Sequence, residues 1–319
     1  MYDVLIVGAG TAGMTAGIYV QRAGKKALVL DEKGYGGQIV NTATVENYPG
    51  FVNISGTEFT ERIHEQAVEL GVDFKVEKVK NVEKKDGVFV VSTGDSQYEV
   101  KSVIIATGVK NRELGIPGEE KFKGSGVSFC ATCDGNFFKG RDIAIIGGGN
   151  TALEDAEVMS GIANKVYLVH RRDEFRGDKL TVKRLSVKDE FRADSKEVER
   201  LRNKSNVEFV LNSKPVEITG GFAVDGLKVE NTEDGSPKTL KVDGIFVAVG
   251  QTPDNKAFEG LVKLDSAGYV DAGEDCVTSA EGIFVAGDCR TKKVRQLTTA
   301  ASDGSVAAAG AVEYINRME

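Results

Sequence analysis

Histidine, proline and long apolar runs are scarce in this chain. Its 319 residues include two histidines and five prolines. With only His64 and His170 to draw on, proton transfer at an active centre falls mainly to carboxylates. No apolar run approaches the roughly 20 residues that span a bilayer, so no membrane segment is expected. The formal net charge of −7 argues against a nucleic-acid or anionic-lipid surface, although a local basic cluster can still hold a phosphate. The chain opens Met1-Tyr2-Asp3 and runs straight into Val4-Leu5-Ile6-Val7, which leaves no room for a signal peptide. A cytoplasmic protein is therefore expected, and there a cysteine pair is more often catalytic than structural.

What is present in excess is glycine, 38 residues against the five prolines, as suits tight turns and close backbone approach to nucleotides. At 41% hydrophobic and 28% charged, the composition is that of a soluble globular protein. Its length suffices for two domains, or for one domain inserted into another.

The most chemically pointed stretch is Cys130-Ala131-Thr132-Cys133-Asp134. Two cysteines at this spacing can close and reopen a small disulfide, and such a pair readily stabilises a thiolate. Zinc would need Cys276 and Cys289 as the other half of the ligand set. Twelve residues separate those two, which is not a ligand spacing expected of zinc, and no metal is expected.

Residues 3–31 read as strand, glycine turn, helix, strand. Val4–Val7 lead into Gly8-Ala9-Gly10-Thr11-Ala12-Gly13, a helix follows from about Met14 to Ala23, and Ala27–Leu30 end on Asp31. This is a dinucleotide fingerprint in its required setting. Gly8 makes the turn, Gly10 lets backbone approach a pyrophosphate, Gly13 lets helix and strand pack closely, and Asp31 falls where a carboxylate meets a ribose hydroxyl. The pattern restarts at Asp142–Ile146 with Gly147-Gly148-Gly149-Asn150-Thr151-Ala152. Aligned without gaps, Gly8 matches Gly147 and Asp31 matches His170, each 139 positions on. His170-Arg171-Arg172, with Arg176 soon after, thus stands where the first copy has an acid. An acid repels a 2′-phosphate, whereas guanidinium groups bind one. The second site is therefore assigned NADPH, and the first a nucleotide without that phosphate, such as FAD.

Other expected elements are a loop over Gly34–Gln38 and Val45–Gly50, and a helix whose stripe is Phe59, Ile63, Ala67 and Leu70. Separate short strands are expected at Val88–Val91, Tyr98–Val100 and Val103–Ile105, the last running into Ala106-Thr107-Gly108. Apolar strands near 243–250 and 282–288 also end in glycine, and an alanine-rich helix closes the chain.

Together these pieces resemble the low-molecular-weight thioredoxin reductases, over essentially the whole length. The matching residues include Gly36-Gly37-Gln38, Glu46-Asn47-Tyr48-Pro49-Gly50, Ala106-Thr107-Gly108, the Cys130–Gly135 stretch, Gly287-Asp288 and Arg295-Gln296. The resemblance implies an α/β fold of two Rossmann-like nucleotide-binding domains of the three-layer ββα type, the NADPH domain inserted into the FAD domain. Its expected borders are 1–114 and 245–319 for FAD, and 115–244 for NADPH.

By the same resemblance, FAD contacts Gly8, Gly10, Thr11, Ala12, Gly13, Asp31, Gly36, Gly37, Gln38, Asn47, Ala106, Thr107, Gly108, Gly287, Asp288, Arg295 and Gln296. NADPH contacts Gly147, Gly149, Asn150, Thr151, Ala152, His170, Arg171, Arg172 and Arg176. Electrons would pass from NADPH to FAD, to the Cys130–Cys133 disulfide, and on to thioredoxin or a thioredoxin-like protein. Asp134 is the expected proton donor, domain rotation is part of the cycle, and a homodimer is expected. The competing view, a redox sensor or scaffold that merely binds nucleotide, is disfavoured by the intact Cys130, Cys133 and Asp134.

One stretch departs from the family pattern. Asp189-Glu190-Phe191-Arg192 repeats Asp173-Glu174-Phe175-Arg176, and Val182, Arg184, Leu185 and Lys188 recur as Val198, Arg200, Leu201 and Lys204. This reads as a tandem duplication. A break in the helix near Ser186–Lys188 is expected, giving two helical pieces, the second laid over the surface of the NADPH domain.

Overall fold

The structure, a computed structural model, describes residues 2–42, 44–173, 175 and 196–318. In chain order the first portion contains β1 (Tyr2–Val7), α1 (Thr11–Arg22), β2 (Ala27–Asp31), α2 (Gly56–Glu69), β3 (Asp73–Val76), β4 (Asn81–Lys85), β5 (Val88–Ser92), β6 (Gln97–Ile105) and β7 (Val109–Asn111). Next come α3 (Glu119–Phe122), β8 (Val127–Ser128), α4 (Ala131–Asp134), β9 (Asp142–Ile146), α5 (Asn150–Ser160), β10 (Lys165–Val169) and α6 (Lys196–Arg202). They are followed by β11 (Val207–Val210), β12 (Ser213–Gly220), β13 (Val224–Asn231), β14 (Pro237–Lys241) and β15 (Gly244–Val247). The chain ends with β16 (Gln251–Pro253), β17 (Ile283–Val285) and α7 (Leu297–Met318). Two compact units result: residues 1–110 with 252–319, and residues 111–251. The crossings between them, β7 and β16, pair as a two-stranded sheet.

In the first unit the sheet runs β3-β2-β1-β6-β5-β4. Strand β6 is antiparallel to β5 along its first half and parallel to β17 along its second. The near-continuous apolar run of β1 has its cause here, because both faces of the parallel portion are covered. Val4 and Ile6 pack with Ala12 and Ala16 of α1 and Ala307 and Ala311 of α7, while Leu5 and Val7 pack with Phe89 and Val91 of the β-meander. Three layers follow directly from that alternation.

Two local expectations change. Tyr98–Val100 and Val103–Ile105 belong to one strand, β6, because the polar residue between them is satisfied in place. Ser102 has no exposed surface, and its hydroxyl donates to the Gly282 carbonyl at 2.8 Å. Leu70 is not part of the α2 stripe. It caps the helix and is 38% exposed, whereas Phe59 and Ala67 are buried.

The second unit repeats the plan. Its parallel sheet runs β11-β10-β9-β15-β8, and β12-β13-β14 form a separate antiparallel sheet. Ile143, Ile145 and Phe246 face Ala152, Leu153 and Met159 of α5, while Ala144, Ile146 and Ile245 face Ile218, Leu227 and Leu240 of the antiparallel sheet.

Helix α6 does not lie over the surface, as had been expected of the duplicated segment. Val198 and Leu201 have no exposed surface and pack in the core with Ala156 and Met159 of α5. The second copy therefore fills the core slot just ahead of β11; the expected break at 186–188 lies outside the described residues. Removing residues 189–204 would bring Val182 and Leu185 into the same register, and we expect the shortened protein to fold with an unchanged KM for NADPH. By contrast, Leu201→Ala in the full chain should cost about 2–5 kcal/mol of stability. Thermal unfolding and nucleotide kinetics of both variants check this.

Candidate active site

Cys130 and Cys133 are joined as a disulfide with their Cα atoms 5.3 Å apart. Cys130 is the N-cap of α4, and its Sγ accepts from the Cys133 amide at 3.2 Å. Strand β8 supplies the support. Ser128 Oγ accepts from the Cys130 amide at 3.1 Å and donates to Asp134 Oδ2 at 2.6 Å, so one buried hydroxyl ties the acid to the first cysteine. Burial raises the Asp134 pKa from its ordinary value, opposed by the Ser128 hydrogen bond.

A second carboxylate underlies the same turn. Asp155 on α5 accepts from the Ala131 amide, and burial, reinforced by the neighbouring Glu154 charge, pushes its pKa up to about 7. Because this folded pKa exceeds that of the unfolded chain, the proton on Asp155 favours the fold at low pH. That stability is complete below about pH 4 and is lost as pH rises through about 7. Asp155→Asn keeps an acceptor for Ala131 without the charge. We expect it to match the wild type at pH 4 and to exceed it at pH 8, by at most about 4 kcal/mol. Denaturant unfolding at the two pH values provides the comparison.

The residues expected at a flavin nucleotide lie in the first unit, around the C-terminal ends of β1, β6 and β17, where open α/β sheets receive ligands. Gly8 has a φ of +109°, and a Cβ there would meet the Ala106 carbonyl oxygen at 2.3 Å. A Cβ on Gly13 would meet the Gly8 carbonyl oxygen at 1.8 Å, which is the close helix–strand packing read from sequence. Gly10 faces open space except for the Gly37 Cα at 4.0 Å from its would-be Cβ. Thr11 and Ala12 are buried in the first turn of α1.

Asp31 accepts from the amides of Ala9 and Lys33, each at 2.9 Å, and Gly36 donates to the Ala9 carbonyl at 2.8 Å. Gln38 donates to the Val109 carbonyl at 3.2 Å, Thr107 to Asn255 Oδ1 at 2.8 Å, and Asn47 to Gln296 Oε1 at 3.1 Å. Gly108 takes a φ of +65° after Thr107. Arg295 Nε donates to the Asp288 carbonyl at 3.3 Å. Asp288 follows Gly287 in a single turn after β17, and its Oδ1 is buried without a hydrogen-bond partner.

In the second unit Gly147 repeats the close approach of Gly8 to a strand-end carbonyl, without its positive φ. A Cβ on it would meet the Ala248 carbonyl oxygen at 2.4 Å and Ala152 Cβ at 2.8 Å. Gly149 faces open space, and Asn150 and Thr151 are exposed in the first turn of α5. His170 is buried and stacks on Phe175, with ring centroids 5.1 Å apart. Its ring lies so close to Gly148 that a Cβ there would come within 2.1 Å. Arg171 and Arg172 are exposed at the end of β10. Arg176 lies outside the described residues.

Sequence reasoning missed Ser128, Asp155 and a buried group around Asp303. The two acids carried a signal. Asp155 sits in the stripe Ala152, Ala156, Met159, and Asp303 in the stripe Gly304, Ala307, Ala311; an acid at such a position must have partners. Cys276 and Cys289 are buried and unpaired in the first unit, and burial pushes the Cys276 thiol up to about 12. Among the described residues no group of acids, histidines and cysteines could hold a metal ion, and no helix is long and apolar enough to cross a membrane.

Comparison with known proteins agrees with this geometry. Residues 2–304 match the family model described as pyridine nucleotide-disulphide oxidoreductase. The chain is 40% identical to a thioredoxin reductase of Listeria monocytogenes, with all of this chain and 95% of that protein covered. It is 37% identical to one of Bacillus subtilis, with 100% and 96% covered. Among solved structures, the thioredoxin reductase of Streptococcus pyogenes is similar with a TM-score of 0.90 at 37% identity, covering 99% of each chain. The chain belongs to the pyridine nucleotide-disulphide oxidoreductase family, and within it to the low-molecular-weight thioredoxin reductases.

Proposed function

We propose that this protein is an NADPH-dependent flavoprotein that reduces the disulfide of thioredoxin or a thioredoxin-like protein through Cys130 and Cys133. The observation that carries the reading is a disulfide with its own buried acid, in a chain with two nucleotide fingerprints of opposite ribose-site charge. A bound flavin would take a hydride from a nicotinamide and pass the electron pair to a disulfide.

The residues present fit such groups. The buried, unpartnered Asp288 Oδ1 is the acceptor that a ribitol hydroxyl needs, and the open backbone at Gly10 suits a diphosphate. On this reading Gly8, Gly10–Gly13, Asp31, Gly36–Gln38, Asn47, Ala106–Gly108, Gly287, Asp288, Arg295 and Gln296 hold FAD. Gly147, Gly149–Ala152 and His170–Arg172, with Arg176, hold NADPH.

Reduction breaks the sulfur–sulfur bond with two electrons and one proton, which leaves one thiol and one thiolate; the second proton is taken up when the partner's sulfurs are released as thiols. Asp134, kept protonated more readily by its burial, gives one proton to the departing sulfur. The remaining thiolate then attacks the partner's disulfide, and the second cysteine resolves the mixed disulfide. Ser128 holds Asp134 and the Cys130 backbone together throughout. Rotation of the two units lets the disulfide alternate between the flavin and thioredoxin. Family resemblance supports a cytoplasmic homodimer as the working form.

The test is an anaerobic titration of the purified protein. A yellow protein bleached by NADPH, and recoloured by oxidised thioredoxin, is expected. A colourless protein, or one whose colour NADPH leaves untouched, would end this reading in favour of a non-catalytic binder.

A further inference from the structure

A heavily bonded carboxylate in the first unit belongs to none of the motifs above. Asp303, 3% exposed near the start of α7, accepts four hydrogen bonds. They come from the Gly287 amide at 2.9 Å, Arg290 Nε at 2.9 Å and Nη2 at 3.0 Å, and Lys292 Nζ at 2.8 Å. Arg290 has no exposed surface and reaches Glu274 as well, at 2.9 Å.

Burying such a cluster is expensive, and well-packed apolar residues would often stabilise a fold as much. What the cluster does that apolar residues could not is grip one peptide. Gly287 is the residue before Asp288, in a turn with a φ of +83° packed so tightly on α1 that a Cβ would meet Ala12 Cβ at 2.9 Å. The next residue of α7, Gly304, is locked against the same turn of α1, where a Cβ would meet the Ala12 carbonyl oxygen at 2.3 Å. From the other side Arg295 holds the carbonyls of Asp288 and Arg290, at 3.3 and 3.4 Å. The Asp288 backbone is thus fastened on both sides while its Oδ1 is left with no partner.

We propose that Asp303 is a positioning residue of the flavin site, which fixes the Gly287–Asp288 turn directly and through Arg290 and Lys292 so that the free oxygen of Asp288 is presented to the ribityl chain. The proposal rests on the flavin reading of that turn given above. Lys292 is the informative handle. Its loss leaves the Arg290–Asp303 pair in place but unbalances the charge beside Asp288.

Lys292→Met, Lys292→Arg, Asp303→Asn and Asp288→Ala in the full chain provide the test. FAD affinity is read from flavin fluorescence released on diluting the holoenzyme, and the thermal midpoint of the flavin-stripped protein is measured alongside. We expect Asp303→Asn and Lys292→Met to weaken FAD binding by about tenfold or more, and Lys292→Arg to recover most of it. The affinity for 2′,5′-ADP, a probe of the other unit, should not move. If Asp303→Asn fails to fold, the two Lys292 variants decide alone. The positioning role is overturned if Asp288→Ala loses FAD while Lys292→Met and Asp303→Asn keep it. It is likewise overturned if FAD loss merely follows a lower midpoint of the stripped protein and Lys292→Arg is no better than Lys292→Met. Wild-type FAD affinity in Asp288→Ala, which lacks the acceptor oxygen, would instead remove the flavin reading on which the proposal stands.

Discussion

Cys130→Ser and Cys133→Ser should each give a yellow protein that NADPH still bleaches and that no longer reduces thioredoxin. The two halves of that result have separate causes. Bleaching needs only the nucleotide sites, and the glycine turns that form them carry no cysteine. Thioredoxin reduction needs both sulfurs, one to form the mixed disulfide and one to resolve it. Serine preserves the size and the N-capping capacity of Cys130, whose Sγ accepts from the Cys133 amide, so α4 should keep its shape. The expected loss is therefore chemical and complete, down to the background of the assay. A serine variant that reduced thioredoxin at the normal rate would make the pair structural. Stopped-flow reduction of the flavin and steady-state thioredoxin reduction, run on one preparation, separate the halves.

The second large effect is on cofactor choice. Replacing Arg171, Arg172 and Arg176 by neutral residues should raise KM for NADPH far more than KM for NADH. Each charge-assisted hydrogen bond to a phosphate is worth roughly tenfold to a hundredfold, so with three additive contributions the preference should fall by about 10³–10⁶. The structure adds a reason why the effect should be selective. Arg171 and Arg172 are exposed at the strand end, so removing their charges disturbs no core. His170 is different, being buried against Gly148 and stacked on Phe175. Equal changes for the two nucleotides would remove the assignment of the arginines to the 2′-phosphate.

The elements legible from sequence were those set by backbone constraint or by alternation of faces. Gly8 and Gly147 stand where a Cβ would strike a carbonyl oxygen of the neighbouring strand end, and no other residue type leaves room there. The apolar run of β1 is visible because both of its faces are buried. Harder to read were polar residues whose partners are remote in sequence. Ser102 interrupts an apolar run, yet its partner is Gly282, 180 residues away, so one strand read as two. Asp303 answers to Gly287, Arg290 and Lys292; its place in an apolar stripe says that it has partners but not which. The duplicated segment failed for another reason. Both copies carry the same apolar spacing, and only packing against α5 reveals that the second fills the core.

The burial of Cys276 and Cys289 gives the molecule an internal gauge of its own oxidation. Both thiols are sealed in the first unit, while Cys133 is exposed on the second. An alkylating reagent applied to the folded, reduced protein therefore meets two reactive sulfurs rather than four, and the oxidised protein offers it none. Intact mass after brief alkylation reads the fraction of molecules with an open Cys130–Cys133 pair, without a chromophore and inside a crude lysate. Four adducts on one chain would report unfolding, so the same spectrum sorts electron occupancy from damage.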